Sequence, residues 1–216
     1  MDRKGILIVV SGYSGVGKGT LMKALTARYG QYALSISATT REPREGEADG
    51  REYFFKTKEE FEELIAQERL IEYASFCDHY YGTPRDYVEE QLEQGRDVIL
   101  EIEQQGALKV KEKNPDVLML FVMPPDTETL VKRLRGRGTE PEKVIQQRLV
   151  QAVEESKHVD QYDYMIVNDD LERAVEELHH LIESQHTMIN RNLDFVRQIQ
   201  KDLVLLADAQ TPGKKN

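Results

Sequence analysis

The chain has a single cysteine, fewer positive than negative charges and no long apolar run. Cys77 is the only cysteine among 216 residues, which excludes an intrachain disulfide and argues against a structural zinc site. Lys and Arg number 29 against 39 Asp and Glu, for a formal charge of −10. A nucleic-acid binder would more often be basic, so free DNA or RNA is not an expected partner. No stretch approaches the roughly 20 apolar residues of a membrane span. "MDRKG" runs straight into an apolar segment and leaves no room for a signal peptide, so the cytoplasm is the expected compartment. No internal repeat is visible.

What is there is a globular composition long enough for a sizeable core. Short apolar runs alternate with longer helical patterns. Strands are expected at Ile6–Val10, Leu34–Ile36, Val98–Ile102, Val117–Met123 and Tyr164–Val167. Helices are expected from Thr20, over Lys58–Gln67, Arg85–Gln94, Thr127–Arg135 and Glu142–Lys157, and from Leu171 onward. Thr57 with Glu60 has capping-box spacing, Thr83-Pro84 reads as an N-cap before a first-turn proline, and Gly95 reads as a stop. The alternation argues an α/β fold with a mostly parallel sheet. Residues 37–83 interrupt it as a small insert, and the polar, arginine-bearing stretch 126–160 as a mobile helical flap. Ile189, Leu193, Val196, Ile199 and Leu203 share a helix-like spacing near the end. That stripe either packs on the core or pairs with a second subunit.

"SGYSGVGKGT", between an apolar run and a helical pattern, matches G-x-x-x-x-G-K-[ST] from Gly12 to Lys18. Gly12, Gly15 and Gly17 let the backbone curl its N–H groups toward an anion at a helix N-terminus. Lys18 is then placed to reach β- and γ-phosphates as a point charge. Gly19 stands where the pattern asks for a hydroxyl, and Thr20 follows it. The bland alternative is a tight turn with a surface lysine. "DVILEIE" is an apolar run ending in Glu101 and Glu103, acids that in a parallel sheet lie at the ligand crevice and suit Mg²⁺ through water. Arg41 and Arg44 flank Pro43 in a loop, and guanidinium groups there suit a phosphate, although loop arginines are commonly just solvated. Tyr53, Tyr81 and Thr83 add hydroxyl donors. Glu72 sits in the otherwise apolar "RLIEYASF" and needs a partner.

These motifs, with "SATTREPREGE", "DGREYFF", "YYGTPR", "LEIEQQGA", "RLRGRGTE" and "DYMIVNDD" in that order, resemble the guanylate kinases, bacterial ATP:GMP phosphotransferases in particular. The resemblance spans about residues 5–185. It implies a P-loop nucleoside monophosphate kinase fold: a parallel core of 5–36, 84–125 and 160–185, a GMP-binding insert at 37–83 and a lid at 126–159. A helical extension at 186–216 would follow. It implies γ-phosphoryl transfer from ATP to GMP, and to dGMP, in purine nucleotide metabolism, with Mg²⁺ met by Thr20 and Glu101 through water. The ATP site would be Gly12, Tyr13, Ser14, Gly15, Val16, Gly17, Lys18, Gly19, Thr20 and Asn168, with Tyr13 standing where proline is frequent. Arg41, Arg44, Tyr53 and Tyr81 match positions that hold the GMP phosphate. Glu72 and Glu103 match acids on guanine N1–H and the 2-amino group, and Ser37 and Thr83 donors toward O6. Some members have aspartates at Glu101 and Glu103. Arg133, Arg137 and Arg148 match lid residues at the ATP phosphates; with Lys18 and Arg41 they form the expected catalytic set. Two other readings stay open at this point: a scaffold domain of this fold that binds protein ligands without transfer, and a kinase for another small acceptor.

Overall fold

The computed structural model describes residues 4–76, 78–136 and 142–210. The chain forms two compact units, Met1–Val175 and Glu176–Asn216. At the centre of the first is a five-stranded parallel sheet. Its strands are β1 (Leu7–Gly12), β2 (Tyr32–Leu34), β7 (Asp97–Glu101), β8 (Leu118–Met123) and β9 (Tyr164–Val167), in the order β2-β7-β1-β8-β9. β1, β7 and β8 are covered on both faces, which is why their sequences read as unbroken apolar runs and not as alternation. Val9, Val98, Leu100 and Met119 lie in one buried cluster with Ala107, Val110 and Val117. Each core strand lies within two residues of its sequence expectation.

Helices α1 (Lys18–Arg28), α3 (Arg85–Glu93) and α4 (Gln104–Lys113) connect these strands. α4 has no counterpart in the sequence reading. It buries only Gly106, Ala107 and Val110 and starts without a side-chain cap, so neither periodicity nor a start signal marks it. Gly95, with φ 77°, ends the segment after α3 as expected.

The insert is built on a second sheet. Its strands β3 (Ala38–Thr39), β4 (Phe54–Phe55), β5 (Leu70–Phe76) and β6 (His79–Pro84) run in the order β4-β3-β6-β5. Helix α2 (Lys58–Ala66) packs against it and begins with the expected capping box: Thr57 accepts from the Glu60 amide, and Glu60 accepts from the Thr57 amide. Phe61 is fully buried with Ala38 and Leu70, and stacks on Tyr80 with ring centroids 5.2 Å apart. Thr83 is not the cap of α3. Pro84 occupies that position, and the Thr83 hydroxyl is spent inside the insert on Glu72.

The flap holds α5 (Thr127–Gly136) and α6 (Glu142–Ser156). Leu130, Leu134 and Ile145 form a small cluster joined by Tyr13 and Leu149, so the flap packs on the glycine turn itself. The second unit contains the end of α7 (Leu171–Gln185) and α8 (Leu193–Gln210). Ile189, Leu193, Ile199 and Leu203 of the expected stripe are exposed. No helix of the described residues is long and apolar enough to cross a membrane.

Candidate active site

β1 ends in the glycine turn at the point where the strand order reverses, between β7 and β8. In open parallel sheets this is the ligand crevice. Lys18 opens α1 and donates from Nζ to the Gly12 carbonyl (2.5 Å) and the Tyr13 carbonyl (3.5 Å), folding back over the turn. Gly17 precedes it with φ 95°, and a Cβ there would stand 2.7 Å from Asn168 Nδ2, so backbone and packing both require glycine. Asn168 is buried and donates from Nδ2 to the Val16 carbonyl (2.9 Å). Arg133 of α5 donates to the carbonyls of Val16 (3.2 Å) and Asn168 (2.8 Å), and Arg148 of α6 donates to Ser14 Oγ (2.9 Å). Two flap arginines therefore reach the glycine turn from different helices. Arg137 lies outside the described residues, as does Cys77.

The parallel register sets Val10 beside Glu101. Glu101 lies at the exposed end of β7, yet enough protein surrounds its carboxylate to raise its pKa; Lys18 opposes that rise and Glu103 adds to it. A Cβ at Gly19 would come within 3.8 and 4.0 Å of the two Glu101 oxygens. The acid thus faces the place where the motif's hydroxyl residue would stand. Thr20 is exposed on the first turn of α1. Glu103 is exposed at the N-cap of α4.

The insert sheet brings the other expected residues together. β3 pairs with β6, setting Ala38 opposite Gly82 and Thr39 opposite Tyr81, and β5 pairs with the other side of β6. Glu72 lies where the β5–β6 register shifts, between Leu70 and Tyr73. It is only 6 % exposed, and Thr83 Oγ1 donates to its Oε1 at 2.8 Å. Burial raises the Glu72 pKa, against the Thr83 hydrogen bond and the charges of Lys109 and Lys113. Gly106 of α4 comes close to the same carboxylate: a Cβ there would be 3.0 Å from Oε2. A buried carboxylate with one oxygen held by a hydroxyl can accept from a ligand that offers adjacent N–H donors. Arg41 Cζ stands 5.3 Å from the Tyr53 ring centre, and the Tyr53 and Tyr81 rings are 6.1 Å apart. Arg44 is exposed in the same loop, and Ser37 is half-buried at its start.

Two acids outside the sequence reading belong to this region. Glu47 grips Arg41 through both carboxylate oxygens, at 3.0 and 2.9 Å. Glu155 on α6 is 7 % exposed; burial and then the Glu103 charge raise its pKa, against Gln151, Lys18 and the Ser14 amide. Arg148 and Glu155, seven apart on one helix, share a face, and that spacing was the available signal. Glu47 gave none, because an acid in a charged loop ordinarily reads as solvated.

A parallel sheet with a glycine turn and its lysine at the switch point, an inserted sheet and a helical flap carrying arginines onto the turn together define a P-loop nucleoside monophosphate kinase. Comparison with known proteins narrows this. The family model described as guanylate kinase matches residues 4–185. A guanylate kinase of Caldanaerobacter subterraneus subsp. tengcongensis is 48% identical over 204 residues, covering 94% of this chain and 99% of that protein. One from Bacillus cereus is 54% identical over 172 residues, covering 79% and 84%. A crystal structure of guanylate kinase from Anaplasma phagocytophilum superposes with a TM-score of 0.70 at 30% identity, over 90% of this chain and 94% of that one. The chain belongs to the guanylate kinase family, and it is a kinase.

Proposed function

We propose that the chain joins ATP and GMP in one cleft and transfers the γ-phosphoryl group to the GMP phosphate, giving ADP and GDP. The observation that carries the acceptor assignment is Glu72, buried and held by Thr83. Guanine offers adjacent donors at N1 and N2, which one carboxylate accepts together. Adenine has a bare acceptor at N1, which would face that carboxylate unpaired.

The acceptor phosphate is anionic at neutral pH and needs no general base. What opposes reaction is repulsion between two polyanions, so the protein's contribution is positioning and charge stabilisation. The glycine-turn amides cradle the ATP phosphates, and Lys18 leaves the Gly12 carbonyl to meet the β- and γ-oxygens. Arg148, with Arg137, neutralises charge developing on the transferred group. Arg133 and Asn168 brace the turn from the nucleoside side. Arg41 and Arg44, with the Tyr53 and Tyr81 hydroxyls, aim the acceptor phosphate in line. Ser37 donates toward guanine O6, and Glu103 takes the 2-amino group. The flap covers the turn and keeps water from replacing GMP. Oxygen donors at Thr20 and Glu101, the latter facing Gly19, fit a hard cation held through water. Mg²⁺ bound there with the nucleotide would supply further neutralisation of the β- and γ-phosphates.

The test is to follow γ-labelled ATP with GMP and separate the products. Label in GDP is expected. Label only in inorganic phosphate, or none released, contradicts the reading.

A further inference from the structure

The loop between β3 and β4 carries an ion pair of unusual build. Arg41 and Glu47 have side chains only 13% and 18% exposed, so the pair is sheltered and not a solvated surface contact. Arg41 Nη2 donates to both Glu47 oxygens, while Nη1 donates to the Glu42 carbonyl at 2.6 Å. The guanidinium also lies over two rings, 5.3 Å from the centre of Tyr53 and 5.9 Å from that of Phe55. Its plane is thereby fixed from several sides. Glu47 Oε2 further accepts the Arg44 amide at 2.8 Å, and the Glu47 amide donates to the Arg44 carbonyl at 3.0 Å, closing a turn through Gly46. One carboxylate therefore holds the side chain of the first arginine and the backbone of the second.

We infer that Glu47 is a positioning residue for acceptor binding: it fixes the aim of Arg41 and its spacing from Arg44 before the nucleotide monophosphate arrives, and stays in place when it binds. This rests on the acceptor reading above. Its physical basis is that a long side chain held in its working geometry has little freedom left to lose on binding. The contacts it makes with Glu47 and Glu42 use Nη1 and Nη2, and Nε is not among them.

The test is a double-mutant cycle on GMP kinetics, with Glu47→Gln in the parent and in an Arg41→Ala background. Outer partners that orient metal ligands typically carry about 10- to 100-fold of a site's function, and Glu47 stands in the same relation to Arg41. Glu47→Gln should therefore raise the GMP KM about tenfold or more, with kcat and the ATP KM changed far less. In the Arg41→Ala background the same substitution should raise the GMP KM several-fold less, because only the contact with the Arg44 amide is left to lose. Glu47→Asp keeps the charge on a shorter arm and should recover part of the loss; it carries the comparison if the glutamine variant does not fold. An equal loss in both backgrounds overturns the inference. So does a lower GMP KM in Glu47→Gln, which would make the carboxylate a competitor of the phosphate. A parent that phosphorylates GMP beside an unchanged variant overturns this inference alone. A parent inactive on GMP overturns the acceptor reading and this inference with it.

Discussion

Replacing Glu72 by Gln should separate acceptor selection from stability. The substitution keeps the shape and the neighbouring Thr83 hydroxyl, which now donates to Oε1. It removes the charge and turns one carboxylate oxygen into an amide donor facing a guanine donor. A hydrogen bond to a charged group contributes about 1.5–3 kcal/mol, and a buried donor left without an acceptor costs about 1–3 kcal/mol more. Together these correspond to a loss of about 10²–10⁴-fold in kcat/KM for GMP. AMP presents an acceptor to the new amide, so its kcat/KM should hold or rise, and the GMP-to-AMP ratio narrows from the acceptor side as well.

The linkage sign gives a second readout. Burial raises the folded-state pKa of Glu72 above its ordinary 4.5, so the folded protein binds that proton more tightly than the unfolded chain. The resulting stability is fully present below the unfolded value and is lost as pH rises through the folded one. At neutral pH the ionised carboxylate thus burdens the fold, and the glutamine variant should melt no lower than the parent. On the acid side, parent kcat/KM for GMP should begin to fall at a pH above the ordinary carboxylate range, as Glu72 takes up its proton. The variant should lack that limb. The assay is coupled ADP formation with GMP and AMP at saturating ATP across pH, beside a thermal melt. An unchanged GMP-to-AMP ratio would rule out Glu72 as the group that selects the purine, even if overall activity fell.

Other outcomes follow from the same geometry. Lys18→Ala removes the cation at the start of α1; turnover should drop by about 10³-fold or more with little change in melting temperature, read by initial rates and calorimetry. Arg148→Ala should lower kcat by about 10³-fold while GMP affinity, measured by titration calorimetry, stays near the parent's. Arg133→Ala should instead weaken ATP binding along with kcat, because Arg133 ties the Val16 and Asn168 carbonyls together. Phe61→Ala empties the insert's small core and should cost about 3–5 kcal/mol of stability in denaturant unfolding, with a higher KM for GMP.

β1, β7 and β8 were legible because strands buried on both faces write themselves as apolar runs, and "GYSGVGKGT" sits where a strand must become a helix. The insert was harder. Its strands at Ala38–Thr39 and Phe54–Phe55 are two residues each, too short for any alternation to register. α4 hid for a related reason: the helix packs on the sheet through small residues at Gly106 and Ala107, which carry almost no periodic signal. For the site, Glu72 announced itself as an acid needing a partner, yet the partner, Thr83, first read as a helix cap. Only the antiparallel pairing of β5 with β6 brings the two together, and that pairing is a long-range fact. Glu47 was invisible for a different cause: it lies close in sequence to both arginines, but an acid in a charged loop ordinarily reads as solvated. Its meaning lies in the direction Arg41 takes over Tyr53 and Phe55, which no spacing encodes.

On the proposed function, one cleft brings two mutually repelling nucleotides together and a carboxylate chooses the purine. Initial rates of ADP formation with GMP, AMP, UMP, dTMP and no acceptor, at saturating ATP and Mg²⁺, test it most directly. Rapid ADP formation is expected with GMP, and rates with AMP and the pyrimidine nucleotides should fall orders of magnitude below it. A rate with GMP no higher than with AMP, or no higher than without any acceptor, would contradict it.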